Sequence, residues 1–150
     1  MKVLIDADAC PVVKQAVEIA TRFGIKTEIY CDTAHMIEVR GARTILVQQG
    51  HDAVDFMITN NLDKRDIVIT QDYGLAAMVL AKGGFAINQN GFVYNENNID
   101  QLLYKRYVHK VARKSGVRLK GPKKRKSSDD VQFREEFEKL CSTVVEGIAV

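Results

Sequence analysis

Short apolar segments alternate along the whole chain with segments of helical periodicity, and this alternation constrains the fold more than any other feature. The apolar segments are continuous and rich in β-branched residues, as is typical of strands covered on both faces. Predicted strands cover residues 2–8, 25–31, 44–49, 66–72 and 85–94. Predicted helices cover residues 10–24, 52–62, 73–84, 97–116 and 130–147. The alternation predicts a three-layer α/β fold, with a mostly parallel sheet, helices on both faces and right-handed crossovers.

The length of the chain sets its domain organisation. With 150 residues, of which 46% are hydrophobic, the chain is long enough for one domain with a substantial core. We expect this domain to cover residues 1–115, followed by a basic linker and a C-terminal helix in 116–150. Four apolar residues lie on one face of that helix, so it is expected to dock either on the core or on a second copy, giving a homo-oligomer: Phe133, Phe137, Leu140 and Val144.

The N-terminal apolar segment is too short for a membrane anchor or a signal peptide, because it is interrupted by Asp6. No later segment reaches the length needed to cross a membrane. Three widely spaced cysteines without a C-x-x-C motif favour reduced thiols over a disulfide framework or a zinc site. We therefore expect a soluble cytoplasmic protein with no membrane partner.

Aspartates stand at the ends of three predicted strands. Asp6 and Asp8 end the first strand, Asp52 and Asp55 follow the third, and Asp72 follows "DIVIT". In an open α/β sheet, ligands bind outside the carboxyl ends of the strands. Taken singly, Asp8 and Asp52 are also suitable helix N-caps, and Asp55 suits a first helical turn. Three such strand ends together favour a shared site.

Carboxylates gathered at one edge repel one another unless a cation lies among them. The expected ion is Mg²⁺ or Mn²⁺, because both prefer oxygen ligands. Such ions neutralise phosphate and activate water for phosphodiester hydrolysis. The candidate ligands are Asp6, Asp8, Asp55 and Asp72, and Asp52 is a further candidate catalytic residue.

Two other residues near these strands are assigned from their positions. Thr70 would face the same edge as Asp72, where it could orient a carboxylate or hold a water molecule, although a strand hydroxyl also suits a purely structural role. Asp66 begins its strand at the opposite, amino end, so we interpret it as a turn residue outside the site.

Positive charge is concentrated in residues 101–126. Half of the 22 Lys and Arg residues lie in this window, which contains no acid. Such a surface favours a polyanion such as RNA or DNA, although basic segments are also common in solvated tails. Tyr104 and Tyr107 are interleaved with these charges and either stack on bases or form the apolar stripe of the helix. The candidate nucleic-acid-binding residues are Lys105, Arg106, Lys110, Arg113, Lys114, Lys123, Lys124, Arg125 and Lys126.

Several motifs together resemble the YaiI/YqxD family of uncharacterised bacterial proteins. They are "DADACPVV", "GHDAVDFMI", "DIVITQDYGLA", "AKGG", "NGFVYNENNIDQLL" and the late "GPKK", and they span essentially the whole chain. The resemblance implies a PIN-like nuclease fold, in which acids hold one or two Mg²⁺ or Mn²⁺ ions and RNA is cut. It implies that Asp6, Asp52 or Asp55, and Asp72 are the matching acids. One departure is Phe56, which stands where the family usually has a polar or acidic residue and puts a fourth acid in doubt.

The leading hypothesis is a metal-dependent nuclease acting on RNA. An alternative is a haloacid-dehalogenase-like phosphatase, since "VLIDADAC" approximates that group's D-x-D motif, with Asp6 as nucleophile and Asp8 as acid. Against it, Cys10 replaces the expected Thr or Val, and the chain is short for a cap domain. A third hypothesis is a nucleic-acid-binding protein whose acid cluster has no catalytic activity.

Overall fold

Six strands and five helices form within the residues that the structure describes. A computed structural model describes residues 1–48, 52–121 and 123–147. The strands are β1 (Lys2–Asp6), β2 (Lys26–Asp32), β3 (Arg43–Val47), β4 (Ile67–Ile69), β5 (Phe85–Ile87) and β6 (Val93–Tyr94). The helices are α1 (Val13–Arg22), α2 (Ala53–Asn61), α3 (Tyr73–Ala81), α4 (Glu96–Lys114) and α5 (Ser127–Glu146). Within the described ranges, no helix is long and apolar enough to cross a membrane.

The strands form one sheet in the order β3-β2-β1-β4-β5-β6. Every neighbouring pair is parallel except β5 and β6, which are antiparallel. This confirms the predicted α/β class and the mostly parallel sheet. The chain runs outward from β1 to β3 and then returns to the other side of β1 with β4. The β1–β4 boundary is therefore the switch point at which α/β sheets bind ligands.

The apolar strands contribute to two hydrophobic clusters. Along β1, Val3 and Ile5 join a cluster with residues of α1 and α5, whereas Leu4 joins a second cluster with residues of α2, α3 and α4. Successive side chains of a strand point to opposite faces, so a strand that is buried on both faces must be apolar throughout. This explains the continuous apolar segments of the sequence.

Helix α5 packs on the chain's own core. Its residues Phe133 and Phe137 are fully buried and stack with ring centroids 5.3 Å apart. Leu140 and Val144 belong to the same cluster. The sequence predicts that this helix docks either on the core or on a second copy, and in the structure it docks on the core of its own chain. Association of copies and the domain division at residue 115 stay predictions.

Some element boundaries differ from the predicted ones. Helix α1 begins at Val13, because Pro11 and Val12 lie in the turn that follows β1. The segment 85–94 forms two short strands around a turn in which Gly91 has φ +85°. A Cβ at Gly91 would lie 2.8 Å from the backbone oxygen of Gln132 in α5. The absence of a side chain there lets the turn approach the helix closely.

Asp66 stabilises the amino end of the sheet. Its side chain is fully buried, and its carboxylate accepts hydrogen bonds from the Lys2 backbone at 2.9 Å, the Lys2 Nζ at 2.7 Å and the Asp63 backbone at 2.8 Å. This ties β1 to the turn before β4. The interpretation of Asp66 as a turn residue outside the acidic site is confirmed.

Replacing Asp66 with Asn is expected to lower the free energy of unfolding by about 3 kcal/mol, because it removes one charge of a largely buried ion pair. Urea denaturation measures the change. Asp63→Asn is the matched control, since Asp63 pairs with the same Lys2 Nζ but its side chain is 83% exposed. That variant should change stability by less than about 1 kcal/mol. Equal losses in both variants would contradict the assignment.

Candidate functional site

Hydrogen bonds join the ends of β1 and β4 through Thr70. The Thr70 Oγ1 donates to the Asp6 Oδ2 at 2.8 Å and accepts the backbone N–H of Asp72 at 3.0 Å. The Tyr94 hydroxyl donates to the backbone oxygen of Thr70 at 3.2 Å. Thr70 itself is buried. It therefore occupies the position expected for it, where it fixes one oxygen of Asp6 and the backbone of Asp72.

Asp72 is the N-cap of α3. Its Oδ1 accepts the backbone N–H groups of Gly74 at 2.7 Å and Leu75 at 3.1 Å, which orients the carboxylate. The same oxygen lies 3.6 Å from the Arg106 Nη1 of α4. A Cβ at position 74 would lie 3.2 Å from both the Asp72 and Arg106 atoms. The glycine thus leaves room for the guanidinium beside the carboxylate.

Asp55 lies in the first turn of α2 and contacts Asp72. Burial, followed by the nearby charges of Asp72 and Asp6, raises the pKa of Asp55 to about 7. Asp52 precedes the helix with φ +66°, and its carboxylate makes no capping hydrogen bond within the described part of the chain. Asp52 therefore occupies the N-cap position predicted for it, but its side chain does not cap the helix.

Asp6 is held in a similar electrostatic environment. Burial raises the pKa of Asp6 to about 6, the hydrogen bond from Thr70 opposes that shift, and the charges of Asp72 and Asp8 add to it. Both raised pKa values report carboxylates that are crowded together and partly removed from water. The folding of three separate strand ends has produced this concentration of negative charge.

A cavity of about 410 Å³ lies over these strand ends. All five predicted acids line it, so the sequence grouped them correctly, and the exposed Asp8 reaches it from the turn after β1. Phe56 is 66% exposed and does not line it. The lining residues are Asp6, Asp8, Cys31, Asp32, His35, Gln48, Asp52, Val54, Asp55, Gln71 and Asp72.

Asp32 and His35 are cavity residues that sequence reasoning missed. The Asp32 Oδ1 lies 2.9 Å from the His35 Nδ1 and also accepts the backbone N–H groups of Ala34 and His35. Desolvation opposes the change, but the hydrogen bonds from His35 and Ala34 lower the pKa of Asp32. An aspartate at the end of an apolar strand is the sequence signal that could have found Asp32, because Asp32 ends β2 just as Asp6 ends β1.

Three non-glycine residues of the described chain have positive φ; two of them lie beside acids of the site, and the third, Arg65, lies at the opposite end of the sheet. Ala9 has φ +55° and Asp52 has φ +66°, in a region that side chains rarely adopt. Residues in this region cost about 1–3 kcal/mol and concentrate at functional sites. Ala9 and Asp52 lie in the turns that carry Asp8 and Asp55 toward the cavity.

The donor chemistry of the cavity fits a hard divalent cation. Its acids supply only oxygen ligands, and the raised pKa values of Asp6 and Asp55 indicate a negative charge that a cation would relieve. Among the residues that the structure describes, no group of three or more Asp, Glu, His or Cys side chains is already arranged around one metal position. The acids thus share a cavity without forming a preassembled coordination shell.

The predicted basic residues fall into two places. Lys105, Lys110, Arg113 and Lys114 are exposed on α4, and Lys123, Lys124, Arg125 and Lys126 line a second cavity. Arg106, described above, lies at the edge of the acidic cavity.

The tyrosines of α4 face the solvent. Tyr104 and Tyr107 are 69% and 63% exposed, so the interpretation that they form the apolar stripe of α4 is wrong. Ile99 is the residue of this helix that is buried. Stacking of the two tyrosines on bases stays a prediction.

Comparison with known proteins identifies the family. The profile described as "Uncharacterized BCR, YaiI/YqxD family" matches residues 4–143. A UPF0178 protein of Exiguobacterium sibiricum is 50% identical over 142 residues, which is 95% of this chain and 97% of that protein. A UPF0178 protein of Clostridium kluyveri is 43% identical over 93% of this chain and 92% of its own length. No solved structure matches. The chain belongs to the YaiI/YqxD family.

The raised pKa of Asp6 predicts a pH dependence of stability in EDTA. The folded state keeps the Asp6 proton up to about pH 6, whereas the unfolded chain loses it near the ordinary value of 3.8. Stability from this group is therefore present at low pH and lost as the pH rises through both values. Asp6→Asn should raise the free energy of unfolding at about pH 8 by about 1 kcal/mol, or Tm by about 2–4 °C.

Thermal denaturation at about pH 4 and about pH 8 measures this effect, and the advantage of Asp6→Asn should grow with pH. Asp63→Asn at the opposite end of the sheet serves as the control, with no growing advantage. A variant that is equally or less stable than the wild type at the higher pH would show that the carboxylates are not crowded.

Proposed function

We propose that this protein is a metal-dependent nuclease that hydrolyses phosphodiester bonds in RNA, with Mg²⁺ or Mn²⁺ held by its aspartates. A PIN-like, three-layer arrangement and a cytoplasmic location are parts of the same proposal. The sheet order, with β1 and β4 adjacent and acids at their carboxyl ends, supports the PIN-like assignment.

The observation that carries the proposal is the meeting of acids from separate chain segments in one cavity. Asp6, Asp55 and Asp72 come from β1, α2 and the turn before α3, and the charge of Asp72 contributes to the raised pKa values of Asp6 and Asp55. Bringing like charges together destabilises the folded state, and a bound cation offsets that destabilisation. A purely structural set of helix caps does not need this arrangement.

Asp6, Asp55 and Asp72 would hold the ion, with Asp8 reaching it from the exposed turn. When bound, the ion supplies neutralisation of the phosphate and activation of water. Thr70 fixes Asp6 through its 2.8 Å hydrogen bond, and the N–H groups of Gly74 and Leu75 orient Asp72. Asp6 and Asp72 are thus oriented by hydrogen bonds near the ends of β1 and β4 before any ligand binds.

Arg106 is placed to bind the phosphate of the substrate. Its guanidinium lies beside Asp72. The Arg106 side chain is 58% exposed and extends from the basic helix α4. Arginine binds phosphate through two parallel hydrogen bonds. The exposed lysines of α4 and the exposed tyrosines Tyr104 and Tyr107 would extend this contact along a strand.

Cleavage of labelled single-stranded RNA with Mn²⁺, with Mg²⁺ and in EDTA tests the proposal. The wild type should cut only with metal, and Asp6→Asn should cut at least about 100-fold more slowly, since it removes a charged ligand. Asp63→Asn should cut at the wild-type rate, because Asp63 lies at the opposite end of the sheet.

The other two hypotheses give different outcomes. Equal cleavage by the wild type and Asp6→Asn would contradict the nuclease proposal, since it indicates a contaminating enzyme. RNA binding in EDTA without cleavage in any metal would favour a binding protein. An aspartyl-phosphate at Asp6, trapped by a fluoride analogue, would favour the phosphatase hypothesis.

A further inference from the structure

A second cavity, of about 450 Å³, lies next to the acidic one. Its walls come from the turn after β1, the turn between β5 and β6, the linker before α5 and the first turn of α5. Four consecutive basic residues, 123–126, line it, and Asp129 is its one lining acid within the described residues. Asp129, together with Asp130, which pairs with Arg125 at 2.7 Å, offsets two of the four positive charges, so the cavity keeps a net charge of +2, opposite in sign to the neighbouring cavity.

Arg125 holds the linker in place, because four hydrogen bonds engage its guanidinium. Its Nε and Nη2 donate to the Asp130 Oδ1 at 3.0 and 2.7 Å, its Nη1 donates to the Asn90 Oδ1 at 2.7 Å, and its Nη2 also donates to the Gln89 backbone oxygen at 2.9 Å. These bonds clamp the linker to the β5–β6 turn. The sequence predicts that Arg125 contacts nucleic acid directly, but these hydrogen bonds favour a role in positioning the neighbouring lysines.

The three lysines around this clamp remain available. Lys123, Lys124 and Lys126 are exposed, and no ion pair within 4.0 Å involves them in the part of the chain that the structure describes. Asp129 is already engaged, because its Oδ2 accepts the backbone N–H of Lys126 at 2.8 Å. The positive charge of the cavity is therefore not fully neutralised from within the protein, and a multivalent anion fits it.

The two cavities share one wall. Gln71 lines both of them, and its Nε2 donates to the backbone oxygen of Ala9 at 3.0 Å. Asp8 lines the acidic cavity, whereas the next residue, Ala9, lines the basic one. The cavities are thus separated by the thickness of two turns, so a ligand in one lies beside a ligand in the other.

We propose that the basic cavity is a phosphate subsite, in which Lys123, Lys124 and Lys126 bind one backbone phosphate of the strand whose neighbouring segment occupies the acidic cavity. This inference rests on the proposed function for the identity of the strand. The subsite would make the strand run from the acidic cavity past Gln71 into the basic cavity. The predicted lysines of α4 do not line this cavity.

Binding of 5′-labelled single-stranded RNA in EDTA, measured by fluorescence anisotropy, tests the subsite without cleavage. The double variant Lys123→Ala/Lys124→Ala should raise Kd about ten-fold and reduce the slope of log Kd against log salt by about 0.7, the value for one lost phosphate contact on a single strand. Lys26→Ala/Lys64→Ala is the matched control, because both lysines are exposed at the amino end of the sheet. It should change Kd less than about two-fold.

A dinucleotide used as a competitor tests the path of the strand. It is too short to occupy both cavities fully, so the wild type should bind it at least about ten-fold more weakly than the longer RNA. Equal affinities of the wild type for the dinucleotide and for the longer RNA would identify an isolated phosphate site and overturn the shared path. Equal losses of RNA affinity in the two double variants would overturn the subsite altogether, since general charge would then explain the binding.

The same proteins separate this inference from the proposed function. RNA cleavage by the wild type, with wild-type affinity in Lys123→Ala/Lys124→Ala, would overturn the subsite and leave the nuclease intact. Lysine-dependent binding without cleavage in any metal would support the subsite and contradict the nuclease. Unchanged Tm values exclude unfolding as the cause of any loss.

Discussion

The parallel pairing of β1 with β4 is the constraint on which the candidate site depends. Ile5 pairs with Ile69, so both strands end at the same edge, where the Asp6 Oδ2 meets the Thr70 Oγ1 at 2.8 Å. Thr70 in turn fixes the backbone of Asp72. Because Asp6 and Asp72 are far apart in sequence, their carboxylates interact only through this pairing. Burial of apolar strands on both faces supplies the stability that holds the crowded charges together.

Opposite charges lie in neighbouring cavities on this edge. The acids face a cavity at the switch point of the sheet, and the lysines of the linker face the cavity beyond Gln71. Helix α5 contributes to this arrangement from a distance, because its buried residues dock it on α1 and the Arg125–Asp130 pair anchors the linker at its start. The C-terminal region therefore connects the core to the basic surface.

Much of the fold could be predicted from the sequence, because strand and helix patterns depend on burial that local periodicity records. The five predicted acids follow from the same logic, since each lies where an apolar strand ends or a helix begins. Asp32 obeys this rule too, but the apolar pattern predicts a strand that ends at Cys31, one residue before the end of β2. The sequence could not reveal which atoms of Asp72 are used by the helix cap, because that depends on backbone geometry.

Other side chains could not be placed because their environment is set by distant parts of the chain. Tyr104 and Tyr107 have helical spacing compatible with a core stripe, yet α4 packs on the core through Ile99, Leu102 and Leu103 and leaves the two tyrosines exposed. Arg125 resembles its lysine neighbours in sequence, and only the positions of Asn90 and Asp130 distinguish it. In both cases tertiary contacts override the local pattern.

Calorimetric titration of the metal-free protein with Mn²⁺ and Mg²⁺ tests the central claim most directly. The account predicts saturable binding by the wild type, binding at least about ten-fold weaker in Asp6→Asn, and wild-type binding in Asp63→Asn at the other end of the sheet. It also predicts proton release on binding near pH 6, because Asp6 and Asp55 are partly protonated there. Absence of binding, or equal binding by the wild type and Asp6→Asn, would contradict it.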